Sequence, residues 1–83
     1  MNVRVKLYAM LAKHLPEGAV KNESDLSVDD GVDVQSVLRS LHLPDDMCHL
    51  VLVNGIYLSP SERPGHKLSE GDHVAVWPPV AGG

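Results

Sequence analysis

The sequence predicts a small α+β domain, and three stretches carry that prediction. Val3, Val5, Leu7 and Ala9 alternate with Arg4, Lys6 and Tyr8, which is the period of a half-buried strand. Val34, Val37, Leu38 and Leu41 fall at i, i+3, i+4 and i+7, the apolar stripe of a helix. Near the C-terminus, Val74 and Val76 flank Ala75 in a further strand of β-branched residues. At 83 residues the chain suffices for one domain with an adequate core.

Taken in order, the first strand runs into Ala9–Leu15, good helix formers for one or two turns before Pro16 and Gly18 stop them. Ala19-Val20 and Leu26-x-Val28 suggest a second strand, weakened by the polar run Lys21 to Asp25. Asp29-Asp30-Gly31 is a turn signal, and Asp33 is placed to cap the helix that begins at Val34 and closes at Pro44. Leu50-Val51-Leu52-Val53 is a continuous apolar run, as expected of a strand covered on both faces. Asn54-Gly55 is the strongest two-residue hairpin signal, with Ile56-Tyr57-Leu58 returning as a short strand. Ser59–Lys67, rich in proline and charge, reads as an exposed loop, with Leu68 as an isolated core anchor. Gly71-Asp72 turns into the last strand.

After Trp77 the pattern changes. Proline has no N–H for a ladder, so Pro78 ends the strand, and Pro78-Pro79 favours an extended arm leading away from the sheet. This divides the chain into a domain over residues 1–78 and a tail over 79–83. The tail ends in Gly82-Gly83. Without Cβ atoms these two residues can thread a narrow channel, and the terminal carbonyl stays open to attack once it is activated. A carboxylate is a poor electrophile, so the activating step belongs to another enzyme, most plausibly one that forms an acyl-adenylate. Fraying alone would favour charged or serine-rich residues over Pro-Pro-Val.

The run from Gly71 to Gly83, GDHVAVWPPVAGG, resembles the end of the MoaD/ThiS family of ubiquitin-like sulfur carriers, most nearly the small subunit of molybdopterin synthase. Trp77 stands where phenylalanine is more usual, and His73 where an acidic residue is common. The resemblance implies a β-grasp: a mixed sheet folded around the Val34–Leu41 helix, with the first and last strands side by side and parallel. It also implies that the chain is not an enzyme by itself. The Gly83 carboxylate would be adenylated by an E1-like adenylating and sulfurtransferase enzyme using ATP, and then converted to a thiocarboxylate. The large subunit of molybdopterin synthase would hold the active site. Gly82 and Ala81 would give access, and Trp77, Pro78, Pro79 and Val80 would form the docking segment. Another sulfur pathway (thiamine thiazole or cysteine synthesis), a non-covalent β-grasp interaction module and a modifier conjugated to lysines are the alternatives.

A net charge of −4 argues against a nucleic-acid partner. The single cysteine, Cys48, excludes an internal disulfide and fits a reducing compartment. Charged Arg4 and Lys6 interrupt any signal-peptide core, and no apolar run approaches a membrane span, so a cytoplasmic protein is expected. Cys48 with His42 and His49 lacks the spacing of a zinc site, so no bound metal or cofactor is expected. His14, His66 and His73 read as surface residues, and the scattered carboxylates as caps and turns.

Overall fold

The structure, a computed structural model, describes residues 1–79. Five strands form one sheet: β1 (Asn2–Leu7), β2 (Glu23–Ser27), β3 (Leu50–Val53), β4 (Ile56–Tyr57) and β5 (His73–Trp77), in the order β2-β1-β5-β3-β4. One α-helix, α1 (Val34–Ser40), crosses between β2 and β3. β1 and β5 pair in parallel, Val5 opposite Val74 and Leu7 opposite Val76, while the other pairings are antiparallel. This is the β-grasp arrangement, with the chain's first and last strands adjacent at the centre.

The alternation in the sequence explains which side of the sheet meets α1. Val3, Val5, Leu7, Val51, Val74 and Val76 lie on one face and are buried. Val34, Val37, Leu38 and Leu41 of the helix stripe join the same cluster, with Leu68 as the anchor its loop position predicted. Each fully buried aliphatic side chain contributes about 1.5–3 kcal/mol.

Local chemistry sets the element ends. Asp33 caps α1, its Oδ1 accepting from the Ser36 N–H at 2.8 Å, while its Oδ2 accepts from the Gly65 N–H at 3.0 Å. Asn54 and Gly55 carry φ of 51° and 82°, as a type I′ hairpin turn requires at both positions. The Asn54 side chain donates to Asp72 and accepts from the His73 N–H, tying this hairpin to the start of β5.

The structure corrects four sequence-based expectations. Ala9 is not in β1: at φ 52° it leaves the strand and opens a 3-10 helix over Ala9–His14, of which only Leu11 is buried. The second strand is Glu23–Ser27, because antiparallel pairing with β1 overrides its polar composition, while Val20 makes only an isolated bridge to Glu23. β3 is covered on one face only, with Leu50 and Leu52 half-exposed. The Ser59–Lys67 segment is not a plain exposed loop: a 3-10 helix over Pro60–Glu62 opens on a Ser59/Glu62 capping box, and Arg63 behind it is buried.

These caps have a pH signature. Hydrogen bonds from Ser36, then from the Gly65 N–H, hold the Asp33 carboxyl below its ordinary range, and Asn54 and the Ser69 N–H do the same for Asp72. A depressed folded pKa adds stability above the unfolded value of about 3.9, and that stability is lost as pH falls through the folded value. Urea midpoints are therefore expected to hold above about pH 5 and to fall below about pH 4. Asp33→Ala should cost about 1 kcal/mol at neutral pH and flatten part of the acid decline.

Candidate functional site

The strand residues that alternate with the core lie on the opposite face of the sheet. A row crosses all five strands there: Tyr57 opposite Leu52, Leu52 opposite Ala75, Ala75 opposite Lys6, and Lys6 opposite Glu23. A neighbouring row pairs Leu50 with Trp77, and Tyr8 at the end of β1 stacks on the Trp77 ring, centroids 4.1 Å apart and planes 9° from parallel. Lys6 Nζ lies 5.2 Å from the Tyr8 ring centroid. Toward β2 the face turns ionic, Arg4 bonding Asp25 at 2.9 Å and approaching Glu23 at 3.4 Å, with Lys6 Nζ 3.9 Å from Glu23. These carboxylates raise the Arg4 pKa, the hydrogen bond to Asp25 contributing most. The face is thus apolar and aromatic over β3 and β5, and charged over β1 and β2.

The chain leaves this face from a firmly held point. The Tyr8 N–H donates to the Val76 carbonyl and the His49 N–H to the Trp77 carbonyl, both at 3.0 Å, so β5 is held up to Val76 on one side and up to Trp77 on the other. Pro78 then ends the ladder. Trp77 is half-buried, Pro78 is buried and Pro79 is exposed. Val80, Ala81, Gly82 and Gly83 lie outside the described residues. Of the sequence-predicted site, then, the structure brings Trp77, Pro78 and Pro79 to the end of the central strand, beside Tyr8 and Leu50.

The model of the ThiS family matches residues 7–83, nearly the whole chain and through the Gly-Gly pair. This chain belongs to the ThiS family. Its members are small ubiquitin-like sulfur carriers rather than enzymes in themselves. Among solved structures, the ThiS-family chain is similar to the HVO 2177 protein of Haloferax volcanii, at 30% identity and a TM-score of 0.77, over all of this chain and 87% of that one. It is similar to SAMP1, small archaeal modifier protein 1 of the same organism, at 26% identity and a TM-score of 0.71 over the full length of both. It also matches a chain from the complex of subunits 1 and 2 of the molybdopterin-converting factor of Helicobacter pylori 26695, at 18% identity and a TM-score of 0.59 over the full length of both, which shows a shared fold. No curated protein sequence matches it.

Elsewhere the ThiS-family chain offers little reactive chemistry. Cys48 is buried, and burial pushes its thiol above the ordinary range despite the opposing pull of Arg63, so it is a poor nucleophile. Among the described residues no cluster of three or more His, Cys, Asp or Glu side chains is gathered as a metal site. No helix there is long and apolar enough to cross a membrane. His14 is half-buried, its Nδ1 3.2 Å from the Leu41 carbonyl oxygen, while His66 and His73 are exposed.

Two features escaped sequence reasoning. Leu50 and Leu52 belong to the half-exposed face; a continuous apolar run cannot tell a strand buried on both sides from one whose second face awaits a partner. Arg63 is buried within a stretch whose composition reads as solvated. The Ser59-x-x-Glu62 pattern just before it was the available signal, since a capping box announces a helical turn.

Proposed function

We propose that this chain is a sulfur carrier for molybdopterin synthesis, acting as the small subunit of the synthase. The Gly83 carboxylate attacks ATP on an E1-like enzyme to form an acyl-adenylate with loss of pyrophosphate. A sulfur nucleophile then displaces AMP and leaves a thiocarboxylate. Bound to the large subunit, that thiocarboxylate delivers sulfur to a cyclic pyranopterin precursor. The observation that carries this reading is that β5, held by β1 to Val76 and by β3 to Trp77, leads into Pro78-Pro79 beside a partly exposed apolar face, while the family match runs through Gly83. The Leu50–Leu52–Ala75–Trp77 face is the surface a partner would bury while the tail enters its active site. The subunit 1–subunit 2 complex of Helicobacter pylori supports such a pairing by analogy of fold.

The second reading, a modifier joined to protein lysines, is favoured by the likeness to SAMP1, which matches over the full length of both chains at 26% identity, against 18% for the Helicobacter pylori chain. Reconstitution separates the two. Thiocarboxylated protein, large subunit and cyclic pyranopterin precursor should yield molybdopterin and return the free carboxylate. Formation of lysine-linked adducts without molybdopterin would assign the modifier role instead.

The face is testable by itself. Leu52→Asp should weaken binding to the large subunit by roughly tenfold or more, since the new carboxylate would have to be desolvated in an apolar interface. The unfolding temperature should fall only modestly, because Leu52 is partly buried rather than in the core, although Asp is disfavoured in a strand. The single tryptophan, Trp77, lies on the same face and reports docking by fluorescence. Parent-like affinity in Leu52→Asp would remove this face from the interface.

A further inference from the structure

Arg63 is 4% exposed and forms no ion pair within 4.0 Å among the described residues. Its Nη1 donates to the Cys48 carbonyl at 2.8 Å. Nε and Nη2 are both buried and have no acceptor among the described residues. Covalent geometry makes this pair informative: the N–H groups of Nε and Nη2 point in parallel from one edge of the guanidinium, the edge that grips two oxygens of a single group. A buried charged group with two unused donors is costly, by far more than a neutral surface contact returns. Arg63 also lines a cavity of about 290 Å³ with Gln35, Cys48, His49 and Pro60.

We propose that the Nε/Nη2 edge of Arg63 is a receptor for a carboxylate, a function separate from the sulfur chemistry of the tail. The cavity is large enough for a small acid or for the end of one acidic side chain. A planar carboxylate matches the two parallel donors. Charge selects it over phosphate, because Asp45 and Asp46 line the same cavity and oppose a dianion more than a monoanion. Asp45 is already engaged, accepting from Gln35 Nε2 at 3.0 Å and lying 3.7 Å from Arg39. Neither acid pairs with Arg63. Because the two donors are enclosed, the entering group displaces a lining side chain, and Gln35 and the exposed Pro60 stand among those lining the cavity.

The test follows the Arg63 Nε–H resonance by NMR as acetate replaces chloride at constant ionic strength. A saturable shift is expected, together with shifts of the Cys48 and His49 amides. Asp46→Asn, which removes an exposed charge from the cavity lining, should tighten acetate binding several-fold. Arg63→Lys keeps the charge but loses the fork and should abolish saturation; if that variant fails to fold, the Asp46→Asn comparison still decides. An N-acetylated, C-amidated glutamate serves as the second probe. Tighter binding of that probe than of acetate assigns the site to a partner's acidic side chain, and tighter binding of acetate assigns it to a free acid. A resonance indifferent to acetate, phosphate binding more tightly than acetate, or an unchanged affinity in Asp46→Asn would each overturn the proposal.

Discussion

Removing Gly83, or adding one residue after it, is expected to abolish adenylation while thermal unfolding stays where it was. The expectation rests on a division of labour along the last strand. β5 supplies Val74 and Val76 to the core and is paired with β1 through Val76 and with β3 through Trp77. Pro78 is buried and has no N–H with which to continue the ladder. A terminal change away from core, cap and network is worth within about 0.5 kcal/mol. The chemistry, in contrast, depends on delivering one carboxylate to the adenylating enzyme's active site, where misplacement by about 1 Å can cost two orders of magnitude. Pyrophosphate release with the purified activating enzyme reads the first quantity, and scanning calorimetry the second. Normal adenylation of the shortened protein would show that reach does not matter.

The second large effect separates Val76 from Val80. Val76 is fully buried between Leu7 and Val51, so Val76→Asp places an unpaired carboxylate in the core. Breaking a core in this way costs roughly 3–5 kcal/mol. That is a large fraction of the roughly 4–12 kcal/mol available to a domain of this size, so most of the protein should unfold under mild denaturant. Val80 follows the two prolines, and Val80→Asp should leave unfolding unchanged while weakening large-subunit binding by roughly ten- to a hundredfold. Titration calorimetry and urea denaturation on both variants make the comparison. A Val80→Asp protein that unfolds, or that binds like the parent, would contradict a docking role for the arm.

Much of the fold was legible because the elements with strong periodicity kept it. The stripe Val34–Leu41 became α1 with Asp33 as its cap, and Val3–Leu7 and Val74–Val76 became the central strands. What periodicity could not supply was pairing: the parallel β1–β5 contact was read from the family resemblance, because alternation specifies a face and not a neighbour. Two of the four corrections share one physical cause: composition describes Leu50–Val53 and Ser59–Lys67, whereas their exposure is set by what lies across from them. Leu52 meets Ala75 and Tyr57 on a face left half-open, and Arg63 is drawn inward by the Cys48 carbonyl. The tail over 79–83 is the plainest chemical signal in the sequence, and beyond Pro79 it lies outside the described residues.

The central claim is that the Gly83 carboxylate becomes a thiocarboxylate, and intact mass spectrometry tests it most directly. The protein is incubated with its E1-like partner, ATP and a sulfur donor, and its mass is compared with that of the Gly83-deleted chain treated in the same way. A species heavier by one sulfur minus one oxygen is expected in the full chain, located at Gly83 by fragmentation, and none in the deleted chain. An unmodified mass under conditions that fully convert a known carrier with its own activating enzyme, or the same increment on the chain lacking Gly83, would contradict it.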